Sequence, residues 1–300
     1  MKMSTVAAFA LALGLIFVNL TGHCDGALQV GFYRGKCGLL DVESIVRALL
    51  TVKFLKDRTI APALIRMQFH DCFVNGCDAS ILLDGSSTEK TAGPNLSVRG
   101  FEVIDAVKDA VEKFCPGVVS CADIIAIATR DVVYLSGGGK YSVETGRRDG
   151  FVSLAKSVKL PGGHTIGVAH CNLFQARLYN YKNTGKPDPS MDLSLLETLK
   201  KMCPQNSTGF NTVNLDQNPK SASIVDNSFH KQIKMHRGVL QIDQDLALDS
   251  LTKATVDKVA DGFDFSTKFG RAMVKMGAIQ VLTGKQGEIR KSCRAVNRRF

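Results

Sequence analysis

Two side chains four residues apart, Arg66 and His70, could carry out acid/base chemistry. Residues 61–69 are predicted to be helical, and positions four apart share one face of a helix, so the two side chains are expected side by side. An imidazole can carry a proton from one oxygen of a peroxide to the other. A permanent cation can stabilise the negative charge that grows on the departing oxygen. The pair therefore fits peroxide cleavage, and the alternative is an ordinary Arg/His pair on a helix surface.

Hard oxygen donors follow directly along the chain. Asp71, Asp78 and Ser80 offer side-chain oxygens, and the carbonyls of Val74 and Gly76 lie between them. Calcium binds six to eight such oxygens, with carboxylates among them. The spacing is not that of an EF-hand. The segment therefore predicts a calcium site, and the alternative is an acidic loop that forms hydrogen bonds only within itself.

The elements that must position these residues are mostly helical. Apolar residues recur at helical spacing in several segments, and alternation typical of strands is scarce. The segments predicted to be helical are residues 41–56, 61–69, 101–114, 120–135, 193–202, 226–235, 251–259 and 265–279. The predicted fold class is mainly α.

The first 26 residues predict an export signal. Lys2 gives a basic start, residues 6–20 are almost wholly apolar, and small or polar residues follow. The run is too short for a membrane span. Nine cysteines are present, and Cys24 is expected to leave with the signal or to lie in a frayed end. The remaining eight predict disulfides in an oxidising compartment, with a pairing that spacing alone leaves open.

The net charge of +10 limits the partners. Basic residues are scattered, so the charge either aids solubility or favours adhesion to an acidic wall polysaccharide. The basic tail, residues 290–298, has no interleaved aromatic residues, so nucleic acid is not expected. No membrane association is predicted, and the protein is expected to be a monomer.

The string from His70 to Ser80, HDCFVNGCDAS, resembles the distal signature of the secreted plant haem peroxidases, known as class III. The similarity continues through most of residues 28–300. It implies a plant-type haem peroxidase fold in one domain, residues 27–300. The distal half, about 27–150, and the proximal half, about 151–300, would enclose haem b, and two calcium ions would be bound.

The resemblance implies roles on the distal side. His70 would be the acid/base, Arg66 the cation, and Asn95 the acceptor of a hydrogen bond from His70. Phe69 would shield the haem edge. The distal calcium ligands would be Asp71, Val74, Gly76, Asp78 and Ser80.

The string from Gly163 to Gly167, GHTIG, resembles the family's proximal motif and implies that His164 is the axial ligand of the haem iron. Asp243 matches the carboxylate that accepts its other N–H. His230 and His236 are predicted to be surface residues. The proximal calcium ligands would be Thr165, Asp216, Ile224, Asp226 and either Ser221 or Ser223.

The same resemblance implies four disulfides and a buried ion pair. The ion pair would join Asp123 to Arg147, and Pro161 would contact the donor substrate. Asn206 begins a sequon better placed for glycosylation than the one at Asn95. The implied disulfides are Cys37–Cys115, Cys72–Cys77, Cys121–Cys293 and Cys171–Cys203.

One departure concerns the segment before His164. Asp149 lies only 15 residues upstream, whereas the family has two helices between these motifs. Two helices and a loop need on the order of 25–30 residues. The abrupt join between Pro161 and Gly162 favours a skipped exon or a faulty gene model over gradual divergence. Sequencing the transcript across the join tests this hypothesis, which a single short product would contradict.

The resemblance implies an extracellular enzyme of the cell wall that reduces hydrogen peroxide and oxidises phenolic donors by one-electron steps. The alternative is a calcium-binding secreted protein that does not hold haem, because the proximal helices are missing. A metal enzyme built on His70 and Cys72 is disfavoured, since an oxidising compartment favours disulfides over thiolate ligands.

Overall fold

A computed structural model describes residues 27–158, 164–205 and 211–297. The predicted export signal, Cys24, the predicted donor contact at Pro161 and the sequon at Asn206 lie outside the described residues. Ten α-helices lie within the described ranges, and they account for most of the regular structure. They are α1 (Val42–Lys56), α2 (Ile60–Cys72), α3 (Phe101–Phe114), α4 (Cys121–Leu135), α5 (Gln175–Tyr179), α6 (Leu193–Met202), α7 (Ser228–Lys234), α8 (Gln241–Leu248), α9 (Lys253–Ala260) and α10 (Phe265–Gly277).

Side-chain caps begin two of the long helices. The carboxylate of Asp41 accepts the first free N–H groups of α1, and the hydroxyl of Ser120 accepts one at the start of α4. Asp149 is fully buried and accepts the N–H groups of Cys121 and Ala122 at the same end of α4. These bonds fix where α4 begins, and α4 then packs on both α1 and α2.

Two apolar clusters form the main cores. The first is formed by the four helices α1, α2, α3 and α4, and it includes Val46, Leu64, Ile104 and Ile127. The second lies in the C-terminal half and joins α5, α6 and α7 to neighbouring loops. Ile166 belongs to the first cluster, so the segment just after His164 is anchored against the N-terminal half.

Strand structure in the described ranges is limited to two small antiparallel sheets. In one, β1 (Gln29–Val30) pairs with β2 (Glu144–Thr145), with Gln29 opposite Thr145. In the other, β3 (Val168–His170) pairs with β4 (Thr212–Asn214), with Ala169 opposite Val213. The mainly helical fold predicted from the sequence is therefore confirmed.

Four disulfides join Cys37 to Cys115, Cys72 to Cys77, Cys121 to Cys293, and Cys171 to Cys203. These are the pairs implied by the family resemblance. Cys121–Cys293 ties the start of α4 to a residue 172 positions away, so it connects the two ends of the fold. Such long-range links constrain the unfolded chain most strongly.

The segment between Arg148 and His164 contains little regular structure. Its described part holds one turn of 3₁₀ helix, Ala155–Ser157, and residues 159–163 are outside the description. This stretch has no room for the two helices that the family resemblance requires. His164 consequently follows a short connection and precedes β3 directly.

Candidate active site

Helix α2 presents Arg66 and His70 on one face, as the four-residue spacing predicts. The Nε of Arg66 donates to Nε2 of His70 over 3.2 Å. Its other nitrogens donate to the Ser97 hydroxyl, over 3.0 Å, and to the Pro94 carbonyl, over 2.8 Å. The guanidinium is therefore held at three points, with one edge directed at the imidazole.

Asn95 sets the protonation pattern of His70. Its amide nitrogen donates to the Glu89 carbonyl over 2.8 Å, so its amide oxygen faces Nδ1 of His70 and accepts from it. Nδ1 therefore carries the proton, and Nε2 is left as the basic nitrogen. A short 3₁₀ turn, Gly93–Asn95, places this amide beside α2.

The surroundings keep His70 neutral. Burial lowers the pKa of its imidazole most, and the charges of Arg66 and His164 lower it further, against an opposing effect of the Asn95 hydrogen bond. A lowered pKa favours the unprotonated imidazole, which is the form that can accept a proton from a peroxide.

The carboxylates of Asp71, Asp78 and Glu89 lie near one another at the C-terminal end of helix α2. Asp71 is buried and accepts the N–H groups of Ala79, over 3.0 Å, and Ile81, over 3.4 Å. Burial raises its pKa well above the usual range, and the charges of Asp78 and Glu89 raise it further. Mutual repulsion of this kind is relieved by a bound cation.

Two buried oxygens in the same place have no hydrogen-bond partner. They are the hydroxyl of Ser80 and Oε2 of Glu89. Among the described residues, no three His, Cys, Asp or Glu side chains converge closely enough to hold a metal by themselves. A calcium ion here would need carbonyl and hydroxyl oxygens as well, which is the mixed donor set that Asp71, Asp78 and Ser80 were predicted to join.

Glu89 is a site residue that the sequence analysis did not single out. It is fully buried, its Oε1 accepts from the Asn75 amide over 3.0 Å, and its backbone N–H donates to Ser153. Burial raises its pKa to about 7. Its neighbours Thr88 and Lys90 are those of an ordinary polar loop, so the sequence carries no signal of this burial.

The proximal histidine pairs with the predicted carboxylate. Nδ1 of His164 lies 2.8 Å from Oδ1 of Asp243, which is buried in helix α8. The bond places the proton on Nδ1 and leaves Nε2 free to bind a metal. The His164 side chain is 24% exposed, and Oδ2 of Asp243 is buried without a partner.

The predicted proximal calcium residues lie together in part. The hydroxyl of Thr165 donates to the carbonyl of Asp226 over 2.9 Å. The hydroxyl of Ser221 donates to the buried Asp216 over 2.7 Å, whereas Ser223 is exposed. Of the two serines left open by the sequence, Ser221 is therefore the one beside the acidic group. The Ile224 side chain is exposed, so only its backbone is suited to such a site.

The structure also gives the surroundings of four other residues that the sequence analysis named. Phe69 is half-buried, and its ring stacks on that of Phe73 with centroids 5.8 Å apart. Asp123 and Arg147 form a buried ion pair at 2.7 Å. His236 is exposed.

The prediction for His230 was wrong. Its imidazole is half-buried and packs 5.7 Å from the ring of Phe265, because α7 turns this side chain inward. Burial lowers its pKa, and the nearby charge of Asp243 opposes that effect.

An Arg/His pair on one helix, a carboxylate-bound histidine and the four disulfide pairs are features that the peroxidase resemblance implies for a mainly helical fold. A family model described as Peroxidase matches residues 42–163 and 156–262. The chain belongs to the class III plant peroxidase family. It is 50% identical to Peroxidase 60 of Arabidopsis thaliana over 325 aligned positions, covering 98% of this chain and 97% of that relative. It is 42% identical to Peroxidase 5 of Vitis vinifera over 331 positions, covering 99% and 100%.

The alignments also locate the missing segment. The two parts of the family match meet at residues 156–163, where the break was predicted. The alignment with Peroxidase 60 spans 325 positions, whereas this chain has 300 residues, so at least 25 positions of that relative have no counterpart here.

Among the described helices, none is long and apolar enough to cross a membrane.

Proposed function

We propose that residues 27–300 form an extracellular haem peroxidase that reduces hydrogen peroxide to water and oxidises two phenolic donors by one electron each. The observation that carries this proposal is the state of His70. Its Nδ1 is bound to Asn95, its Nε2 is free of a proton, and the Arg66 cation lies 3.2 Å from that nitrogen.

The proximal residues fit haem b. Nε2 of His164 is free because Asp243 occupies Nδ1, and the carboxylate makes the imidazole more electron-rich. A haem iron bound to Nε2 would supply the electrons that reduce the peroxide. Phe69, at the end of α2, would lie towards the haem edge, and Pro161 would contact the donor.

On the distal side, the chain's own residues move one proton. Nε2 of His70 would take it from the peroxide oxygen that binds and return it to the oxygen that leaves as water. Arg66 would stabilise the departing oxygen, since its charge is permanent and its position is fixed by Ser97 and Pro94. The hydrogen bond of Asn95 would keep the imidazole in the required tautomer.

A second candidate function rests on the proximal side. His164 is 24% exposed and follows a connection without the two helices, so its support is reduced. The alternative is a secreted calcium-binding protein that folds around the distal half and does not hold haem. Both proposals keep the predicted export signal at residues 1–26.

Haem titration of the mature chain distinguishes these functions. For the enzyme, we expect a Soret band of five-coordinate haem and phenol oxidation that depends on peroxide. The variant His164→Ala should lose that band but keep the circular dichroism of the folded chain. A folded, calcium-binding chain that takes up no haem would support the alternative instead.

Two calcium ions belong to the proposal. Asp71, Asp78 and Ser80, with the carbonyls of Val74 and Gly76, would hold the distal ion, supported by the unpartnered Ser80 hydroxyl. The proximal ion would be held by Thr165, Asp216, Ser221, Ile224 and Asp226.

The calcium-free chain is expected to lose stability as the pH rises from about 5 to 8. The pKa of Glu89 is about 7 in the folded protein against an ordinary 4.5, so the folded state binds this proton more tightly. The stability given by that proton is lost as the pH rises through the folded pKa, by on the order of 3 kcal/mol. Urea unfolding at the two pH values, in chelator, measures the change.

The matched control is Glu89→Gln, which is expected to reduce this pH dependence. Added calcium should also reduce it in the unsubstituted chain, because a cation replaces the proton. An equal pH dependence in both proteins would assign the effect to other groups.

The remaining partners are also proposals. The net charge of +10 would favour adhesion to acidic wall polysaccharide, and the protein would act as a monomer. Asn206 would be the glycosylated residue.

A further inference from the structure

A cavity of about 640 Å³ lies between the N-terminal segment, the start of α1 and the C-terminal end of α4. We call it the α1–α4 cavity. None of the residues assigned above to haem or calcium lines it. Its volume is in the range of sites that bind small molecules.

Four cationic side chains line the α1–α4 cavity, and two of them are neutralised within it. Arg130 and Arg47 both pair with Asp131, at 2.8 and 3.2 Å, and Arg130 also pairs with Glu43. Asp41 lines the cavity too, but its carboxylate caps α1. The interior charges are therefore largely balanced by one another.

The other two cations have no acidic partner among the described residues. The side chain of Arg34 is exposed and forms no hydrogen bond or ion pair with the residues that the structure describes, although its backbone N–H donates to the Gly31 carbonyl over 3.0 Å. Lys140 lies over the ring of Tyr134, with Nζ 5.1 Å from the centroid. The lining carries four cations against the three carboxylates of Asp41, Glu43 and Asp131, so the cavity is net positive and favours an anionic ligand.

Apolar surface lies beside these two cations. Tyr134 is 42% exposed, and Leu40 and Val30 are similarly open where they line the cavity. An aromatic ring can stack on Tyr134, and the aliphatic side chains can cover its other edges. The ligand is therefore expected to combine an anionic group with a planar apolar group.

We infer that the α1–α4 cavity binds an aromatic carboxylate, with its carboxylate at Arg34 and Lys140 and its ring against Tyr134 and Leu40. An acidic saccharide is less suited, because sugar hydroxyls need polar partners, whereas the surface beside Arg34 and Lys140 consists of the apolar side chains of Val30, Leu40 and Tyr134. The inference is independent of haem binding, since the cavity contains none of the proposed haem residues.

The test uses the mature chain without added haem and two ligands of the same shape, cinnamate and cinnamyl alcohol. Cinnamate has no phenolic hydroxyl, so it is not an electron donor for a peroxidase. We expect saturable binding of cinnamate by ligand-observed NMR, at least about tenfold tighter than the alcohol, because a charge-assisted contact is lost in the alcohol.

Two rim variants and one matched control locate the site. Arg34→Gln and Lys140→Gln are each expected to weaken cinnamate binding about tenfold. Lys182→Gln is the control, since Nζ of Lys182 lies 5.2 Å from the Tyr181 ring in a similar pair outside the cavity. It should leave binding unchanged, and all three variants should keep the thermal midpoint of the parent.

Several outcomes would overturn the inference. They are no saturable binding of cinnamate by the folded chain, equal affinity for the alcohol, and unchanged affinity in both Arg34→Gln and Lys140→Gln. Binding of oligogalacturonate at these residues without binding of cinnamate would assign the cavity to an acidic saccharide.

Discussion

Replacing His70 by alanine is expected to slow the cleavage of hydrogen peroxide by about 10²–10⁴-fold, while haem remains bound through His164. The structure gives His70 a buried, neutral imidazole whose Nε2 is basic because Asn95 accepts from Nδ1. Alanine removes that base but leaves the His164–Asp243 contact on the other side. Stopped-flow mixing with peroxide measures the rate, and haem titration measures the binding.

The control for this prediction is His170→Ala. His170 is exposed on strand β3 and touches none of the proposed catalytic residues. Its replacement should leave both the rate and haem binding unchanged. A rate for His70→Ala equal to that of the parent chain would remove His70 from the proton transfer.

The second large effect, on haem affinity, is expected from inserting a helical segment before His164. Insertion between Pro161 and Gly162 of a segment with the two helices that the family resemblance implies should tighten haem binding at least tenfold. Each roughly 55 Å² of apolar surface removed from water contributes about 1.4 kcal/mol, which is a tenfold change in affinity. Two helices at this position should cover more than that, and they would also shield His164, now 24% exposed.

A Gly/Ser linker of the same length is the control for the inserted segment. It adds chain without an apolar face, so it should not tighten haem binding. Equal haem affinity for the parent, the linker variant and the restored chain would show that the missing segment does not support the proximal pocket. Haem titrations under identical conditions make the comparison.

The helices were predictable where periodicity and capping agreed. Residues 101–114 and 193–202 were predicted with the bounds of α3 and α6. Asp41 was predicted to cap α1, and its carboxylate does so. Such segments carry an apolar face of two or more turns, which is long enough for the helical period to be recognised.

Two shorter helices have too weak a hydrophobic periodicity to be predicted from the sequence. Helix α8 was not predicted, although it holds Asp243, because it has eight residues and exposes the apolar Ile242 and Leu246. Its position depends on contacts with α7 and α9, and the periodicity of its own sequence gives no information about those contacts. Helix α5, with five residues, was missed for the same reason.

The sequence by itself determined the chemistry available to this protein. The string from His70 to Ser80 identified the family, and the Arg66/His70 spacing placed these two side chains together, because residues four apart on one helix share a face. It also located the break before His164, since two motifs were only 15 residues apart.

Only the tertiary structure decided what surrounds these groups. It buried Glu89 near Asp71, placed the Ser221 hydroxyl on Asp216, and brought His164 to Asp243 from 79 residues away. It also left Arg34 and Lys140 beside a cavity, with no acidic partner for either among the residues that the structure describes. Burial and long-range pairing depend on how helices pack, and local sequence does not encode that packing.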